Sequence, residues 1–188
     1  MNTYSSKLTK WEKMMVDYGF FHQEKFNLFT HLIGVPIIVA SFFIPFTWLS
    51  FGHFEIGGLV LPTNAALLLA IATAIFYISL DKTLGYLSIP FLLICAFAAT
   101  QIGELSIQQG GIIAAIGFVG GFIFQFIGHA VEGKKPALAA YNPIVAMVSS
   151  PLFVVAEYVR PFGVHKKLWD KADAVIQEME ASANKAVV

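Results

Sequence analysis

Long apolar runs separated by short polar segments dominate the chain. A helix needs about 20 apolar residues to cross about 30 Å of hydrocarbon, and it suits that environment because it satisfies its backbone hydrogen bonds internally. Four runs meet or approach this length, at 28–51, 59–80, 85–100 and 111–128. The pattern therefore predicts four transmembrane spans.

A fifth apolar run, at 141–159, contains Pro143, Pro151 and Glu157. Positive charge is retained on the cytoplasmic side during membrane insertion. All 12 lysines and arginines fall on one side if the four runs cross and the fifth does not. We therefore interpret 141–159 as a Pro-broken re-entrant or interfacial hairpin and place both termini in the cytoplasm. The host membrane is then a bacterial inner membrane, or the endoplasmic reticulum in a eukaryote.

The two ends of the chain have apolar residues at helical spacing, which predicts amphipathic helices. These residues are Leu8, Trp11, Met15 and Tyr18 at the start, and Val164, Leu168, Ala172, Val175, Ile176 and Met179 in a tail helix at 162–184. Such faces suit the membrane interface or each other. The predicted fold is one all-α membrane domain over 1–188, a polytopic helix bundle.

Composition agrees with this fold class. Apolar residues make up 57% of the chain and charged residues 13%, against about 45–50% and about 25% in soluble domains. The net charge is zero, so no overall basic field favours a nucleic-acid partner. Residues 1–23 lack a clean apolar stretch, so we expect an internal span to direct insertion.

Three histidines lie at the predicted cytoplasmic boundary of the bundle. His22 and His31 flank the start of the first span, and His129 ends the fourth, with Glu132 three residues later on the same helical face. Ionisable groups at such positions are costly and need a partner. Imidazoles with a carboxylate suit a non-haem Fe(II) centre, although Zn(II) accepts a similar set. The alternative is that these histidines only form hydrogen bonds at helix ends.

Other polar residues near this boundary have two interpretations each. Gln125, one turn before His129, either orients a metal ligand or joins two helices. Asn27 either caps the first span or binds a substrate carboxylate. Glu157 is either a carboxylate that reaches toward the interface or a further metal ligand, and whether Glu132 or Glu157 binds the metal stays open.

Several of these segments together resemble a known family. They are 18–22 with Asn27 and His31, then 125–132 with its Gln-x3-His-x2-Glu spacing, and the region 151–157. The chain is similar here to the membrane 2-hydroxy fatty acid dioxygenases, typified by a fungal endoplasmic-reticulum enzyme of phytosphingosine breakdown.

This resemblance implies an Fe(II)- and O2-dependent alpha-oxidation, in which a 2-hydroxy fatty acid becomes an acid one carbon shorter. On this hypothesis, four residues bind iron: His22, His31, His129 and Glu132. Gln125 supports them, and Asn27 or Lys135 holds the head of the substrate. The acyl tail is expected to stay among the apolar helices.

Two other functions remain open from the sequence. One is a small membrane transporter or channel whose boundary histidines relay protons. The other is a non-catalytic membrane scaffold whose histidines cap helices. Stoichiometric iron in the purified protein is expected only for the enzyme.

Overall fold

A computed structural model describes residues 8–57, 59–134 and 143–185. Its helices are α1 (Lys10–Phe20), α2 (Lys25–Thr47), α3 (Ala65–Leu80), α4 (Lys82–Gly103), α5 (Ile107–Glu132), α6 (Pro143–Val159) and α7 (Lys166–Lys185). An antiparallel hairpin of β1 (Ser50–Ile56) and β2 (Leu59–Asn64) stands between α2 and α3. A short 3-10 turn, Arg160–Phe162, joins α6 to α7.

Among the described residues, three helices are long and apolar enough to cross a membrane: α2, α4 and α5. The predicted span at 59–80 begins too early, because its first six residues form β2 and α3 has only 16 residues. The side chain of Asn64 accepts a hydrogen bond from the Leu67 amide and so starts α3 late. At about 1.5 Å per residue, α3 is about 24 Å long. The count of four spans is therefore not confirmed, and the fold is mostly rather than entirely helical.

The outer surface of the bundle confirms that this is a membrane protein. Large apolar side chains point outward on three helices, with exposed fractions of 64% for Ile75, 68% for Ile94 and 68% for Ile116. An apolar surface of this extent would be unfavourable in water. It is suited to contact with lipid tails.

Helices α2 and α5 pack closely because glycines line their contact. A Cβ atom on Gly121 would lie 2.6 Å from Cγ1 of Ile38, and one on Gly117 would overlap the Ser41 hydroxyl. Small residues let helix backbones approach in membranes, where van der Waals packing replaces the hydrophobic effect. This contact brings the start of α2 beside the end of α5.

We predicted a Pro-broken hairpin at 141–159, and the structure shows otherwise. The described part of this region, Pro143–Val159, is one helix that continues through Pro151. Residues on this helix, including Leu152 and Val154, are fully buried. Tight packing by neighbouring helices stabilises the helix despite the amide N–H that proline lacks. Residues 141 and 142 lie outside the described residues.

The chain lies at the same end of the bundle at Lys134 and at Arg160. Lys134, the last described residue before α6, binds the carbonyl of Phe20 at the end of α1. Just after α6, Arg160 pairs with Asp173 of α7. Both contacts lie at the end of the bundle where the histidines are found, which we call the histidine end.

Helices α1 and α7 pack on each other, which was one of the two alternatives for the amphipathic termini. Val16 of α1 lies in a buried cluster with Ala172 and Ile176 of α7, and Lys171 binds Glu12 at 2.8 Å. Helix α7 begins at Lys166, later than predicted, because Gly163 and His165 before it have positive φ angles.

Candidate metal centre

Helices α2 and α5 and the turn after α1 bring three imidazoles together at the histidine end. His22 follows α1, His31 lies in the second turn of α2, and His129 lies in the last turn of α5. One ring nitrogen from each lies within 4.8 Å of those of the other two. All three side chains are buried, with exposed fractions of 7%, 4% and 4%. The predicted convergence of these residues is confirmed.

The rings meet edge to face rather than in a stack. Ring centroids are 4.2 Å apart for His22 and His31, and 4.9 Å apart for each of these with His129. Two nitrogens bound to one ion at about 2.1 Å are at most about 4.2 Å apart. The cluster is therefore close to the dimensions that a single metal ion requires.

Backbone carbonyls fix the proton positions on two of the rings. Nδ1 of His22 donates to the carbonyl of Tyr18 at 2.6 Å, and Nδ1 of His31 donates to that of Asn27 at 3.0 Å. A carbonyl oxygen can only accept, so the proton is on Nδ1 and each Nε2 keeps its lone pair. Nε2 of His22 is buried and has no hydrogen-bond partner among the described residues. A buried acceptor without a donor is unfavourable, and a metal ion would satisfy it.

Burial keeps the His22 side chain neutral. Loss of hydration holds the pKa of His22 well below its usual value, and the neighbouring His31 lowers this pKa further. A neutral imidazole is the form that binds metals. The chemistry of the donor set therefore fits a metal ion.

Asn27 and Glu132 connect α2 to α5 beside the imidazoles. The Asn27 amide donates to Oε2 of Glu132 at 2.6 Å and to the Phe21 carbonyl at 3.0 Å. The backbone amide of Gln23 donates to Oε1 of Glu132 at 3.1 Å. Glu132 is not a member of the group formed by the three histidines. The Glu132 carboxylate thus accepts hydrogen bonds from Asn27 and Gln23, and these bonds hold the turn that contains His22 against α5.

The family model described as 2-hydroxy-palmitic acid dioxygenase Mpo1-like matches residues 8–161, a range that contains all of these groups. The chain belongs to this family. It is also 28% identical over 156 residues to the 2-hydroxy-palmitic acid dioxygenase MPO1 of Saccharomyces cerevisiae, covering 80% of each chain. No solved structure matches it.

A tyrosine that sequence reasoning did not select supports the cluster in this Mpo1-like chain. The Tyr18 ring stacks on His22 with centroids 4.0 Å apart, and Phe153 of α6 stacks on its other side at 4.5 Å. The Tyr18 hydroxyl is buried without a hydrogen-bond partner among the described residues. The spacing of four residues between Tyr18 and His22 is the signal that could have revealed this contact.

Lys134 is a second residue that sequence reasoning missed. Its Nζ binds the Phe20 carbonyl at 2.7 Å and Oε1 of Gln23 at 2.8 Å, and it lies 3.3 Å from Glu132. It therefore fastens the turn before α2 to the end of α5. Lys135, which we predicted to bind the substrate, lies outside the described residues.

A glycine allows the approach of α2 and α5 at this site. A Cβ atom on Gly128 would overlap the Thr30 hydroxyl and would lie 2.6 Å from Oδ1 of Asn27. Thr30 and Asn27 are completely buried. Gly128 thus sets the separation between the helices that contain His31 and His129.

The remaining predicted residues lie near the cluster but outside it. Gln125 is buried on α5, and its Nε2 has no hydrogen-bond partner among the described residues. It packs against Gly34 of α2. Glu157 lies 3.8 Å from Arg160 in an ion pair at the end of α6. Neither residue belongs to the group of three histidines.

Proposed function

We propose that this chain is a membrane dioxygenase that converts a 2-hydroxy fatty acid to the acid one carbon shorter, with Fe(II) held by His22, His31 and His129. Family membership supports an enzyme, and the name of the yeast relative supports this substrate class. The observation that carries the proposal is the group of three buried imidazoles whose nitrogens lie within 4.8 Å of one another.

Three imidazoles are a suitable ligand set for this chemistry. They leave coordination positions open, as non-haem iron oxygenase sites do. When bound, Fe(II) would supply the redox capacity to activate O2 and the Lewis acidity to hold a 2-hydroxy carboxylate. The carbonyls of Tyr18 and Asn27 orient two of the rings through their Nδ1 protons. Asn27 and Glu132 hold the two helices in register around them.

The reaction balances without a further reductant. A 2-hydroxy acid, R–CH(OH)–COOH, and O2 give R–COOH, CO2 and H2O. The bond between the carboxyl carbon and the hydroxyl-bearing carbon breaks, and both carbons are oxidised. O2 accepts all the electrons that they lose, so the chain needs no site for an organic electron donor.

Burial of the cluster suits this reaction. Tyr18, Phe153 and the helices α2 and α5 cover the imidazoles, so bulk water is excluded on those sides. The position near one end of the bundle lets a charged head group reach the site while the acyl chain stays in an apolar environment. Long acyl chains are therefore the expected substrates, since each methylene removed from water contributes about 0.8 kcal/mol.

The direct test uses protein purified anaerobically in nanodiscs. With Fe(II), O2 and 2-hydroxyhexadecanoic acid, mass spectrometry should detect pentadecanoic acid, and none should form without O2 or from hexadecanoic acid. Absence of the shorter acid in iron-loaded protein would overturn the proposal. Ion flux in proteoliposomes without bound iron would instead support a transporter.

A further inference from the structure

An apolar cavity of about 430 Å³ lies between α2, α3, α5 and α6. Such a volume is within the range of small-molecule sites. Its walls include Phe42 of α2, Leu69 and Phe76 of α3, and Phe118 of α5. Phe42 and Phe76 are exposed, so the cavity opens on the lipid-facing surface of the bundle. Along α3 it extends from Leu69 to Tyr77, or about 12 Å at 1.5 Å per residue. The cavity is thus elongated roughly along the bundle.

The polar groups in the walls of this cavity are satisfied within the protein. The Thr73 hydroxyl donates to the Leu69 carbonyl at 2.8 Å, and the Tyr77 hydroxyl donates to the Val148 carbonyl at 2.6 Å. The cavity therefore offers no free donor from these residues, and an apolar chain suits it best.

A separate, smaller cavity of about 40 Å³ lies beside the large one, nearer the histidine end. The two share Ile38, Val39, Met147 and Pro151 in their walls. The smaller cavity also contacts Gln125, which precedes His129 by one helical turn. On α2, the same direction leads from Ile38 past Gly34 to His31.

Gln125 is the exception among the polar residues of these two cavities. The hydroxyl of Ser150, also in the smaller one, donates to the Ala146 carbonyl at 2.7 Å. Nε2 of Gln125 is buried and has no hydrogen-bond partner among the described residues. A buried donor of this kind is unfavourable unless a ligand oxygen accepts its proton.

We infer that the cavity between α2, α3, α5 and α6 binds the acyl chain of the substrate, and that the Gln125 amide donates a hydrogen bond to the substrate carboxylate at the end nearest the histidines. The identity of the occupant rests on the proposed function. The apolar walls favour the acyl chain of the substrate, and the Gln125 amide favours its carboxylate.

The test uses metal-free wild-type protein in nanodiscs and a 2-hydroxy fatty acid with a diazirine at the chain end. Ultraviolet light should attach the probe to cavity residues that the lipid cannot reach directly, such as Phe43 or Leu69. Labelling confined to the lipid-facing side of α4, at Ile94 for example, would overturn the inference. Occupation of the cavity by nanodisc phospholipid in place of the probe would give the same result and would equally overturn the inference.

Three variants sharpen this test. Ala72→Phe adds bulk to the cavity wall and should lower labelling at least about fivefold, whereas Ala115→Phe on the exposed face of α5 should leave it unchanged.

The role of Gln125 is tested with the acid probe and its methyl ester. The wild type should prefer the acid about tenfold, and Gln125→Met should remove this preference. Equal labelling by both probes in the wild type would refute the role of Gln125.

Labelling requires no turnover, so the two proposals can fail separately. Wild-type protein that is labelled in the cavity but forms no shorter acid contradicts the dioxygenase proposal alone. Protein that forms the shorter acid without cavity labelling contradicts the acyl-chain site alone.

Discussion

A buried imidazole is most stable when both of its ring nitrogens have a partner. His22 has one, the Tyr18 carbonyl, while its buried Nε2 has no hydrogen-bond partner in the part of the chain that the structure describes. The protein thus tolerates an unfavourable arrangement at the centre of its histidine end. Such local costs are typical of functional sites, where a ligand offsets them.

The first prediction concerns the three imidazoles. His22→Ala, His31→Ala and His129→Ala should each lower the iron bound to anaerobically purified protein from about one equivalent to near zero, because two ligands bind a metal far more weakly than three. Elemental analysis measures this loss. His53→Ala, at an exposed position in β1, is the matched control and should retain its iron; full iron content in all three variants would contradict the metal centre.

The second prediction concerns the pair formed by Asn27 and Glu132. Asn27→Asp places two carboxylates at 2.6 Å and should destabilise the protein by about 2 kcal/mol or more. Adding Glu132→Gln restores a carboxylate–amide pair, so the double variant should regain part of the lost stability. The regain stays partial because an aspartate cannot donate to the Phe21 carbonyl. Unfolding followed by intrinsic fluorescence would detect both changes, and strictly additive losses would argue against the contact.

At the scale of helices, the site depends on how closely α2 and α5 approach. His31 and Asn27 belong to one helix, and His129 and Glu132 belong to the other. Gly128 lies between them, where a methyl group would meet Thr30 and Asn27. A change of less than an ångström in helix separation would therefore alter the distances between the imidazoles.

The third prediction tests this separation. Gly128→Ala should force α2 away from α5, lower stability by about 1–3 kcal/mol and reduce iron retention severalfold. Gly120→Ala, on the same helix, adds a methyl group where no atom lies within 4 Å and should change neither property. Thermal unfolding and iron content together make the comparison. Equal behaviour of the two variants would show that Gly128 does not set the helix spacing.

For the whole molecule, the chain has two chemically different ends. Contacts of Lys134, Arg160 and His165 bring α1, α7 and the turn after α3 together around the histidine end. The β1–β2 hairpin lies at the other end of α2 and α3. The distribution of basic residues predicts that the histidine end faces the cytoplasm.

The fourth prediction tests this orientation with single cysteines in a Cys95→Ala background. His53→Cys in the hairpin should react with a membrane-impermeant maleimide in intact spheroplasts. Gln177→Cys, exposed on α7, should react only after the membrane is opened. Labelling of both positions from the same side would contradict an orientation with opposite ends on opposite sides.

Much of the architecture could be predicted from the sequence because lipid imposes a simple rule. Long apolar runs must be helical to satisfy their backbone groups, so α2, α4 and α5 were located correctly. The region 59–80 was predicted as one span because its first residues, 59–62, are as apolar as the helix that follows. Hydropathy does not distinguish a strand from a helix in a short run.

The sequence by itself determined that this is a membrane protein and that His22, His31 and His129 lie at one end, since apolar run lengths and helix direction place residues along the membrane normal. Only the tertiary structure decided which groups touch. In the structure, the Glu132 carboxylate accepts a hydrogen bond from Asn27 and is not part of the group of imidazoles. The Tyr18 ring stacks on His22, and Gln125 lies beside an apolar cavity. These contacts depend on the rotation and spacing of helices distant in sequence, which side-chain packing sets and the apolar pattern does not encode.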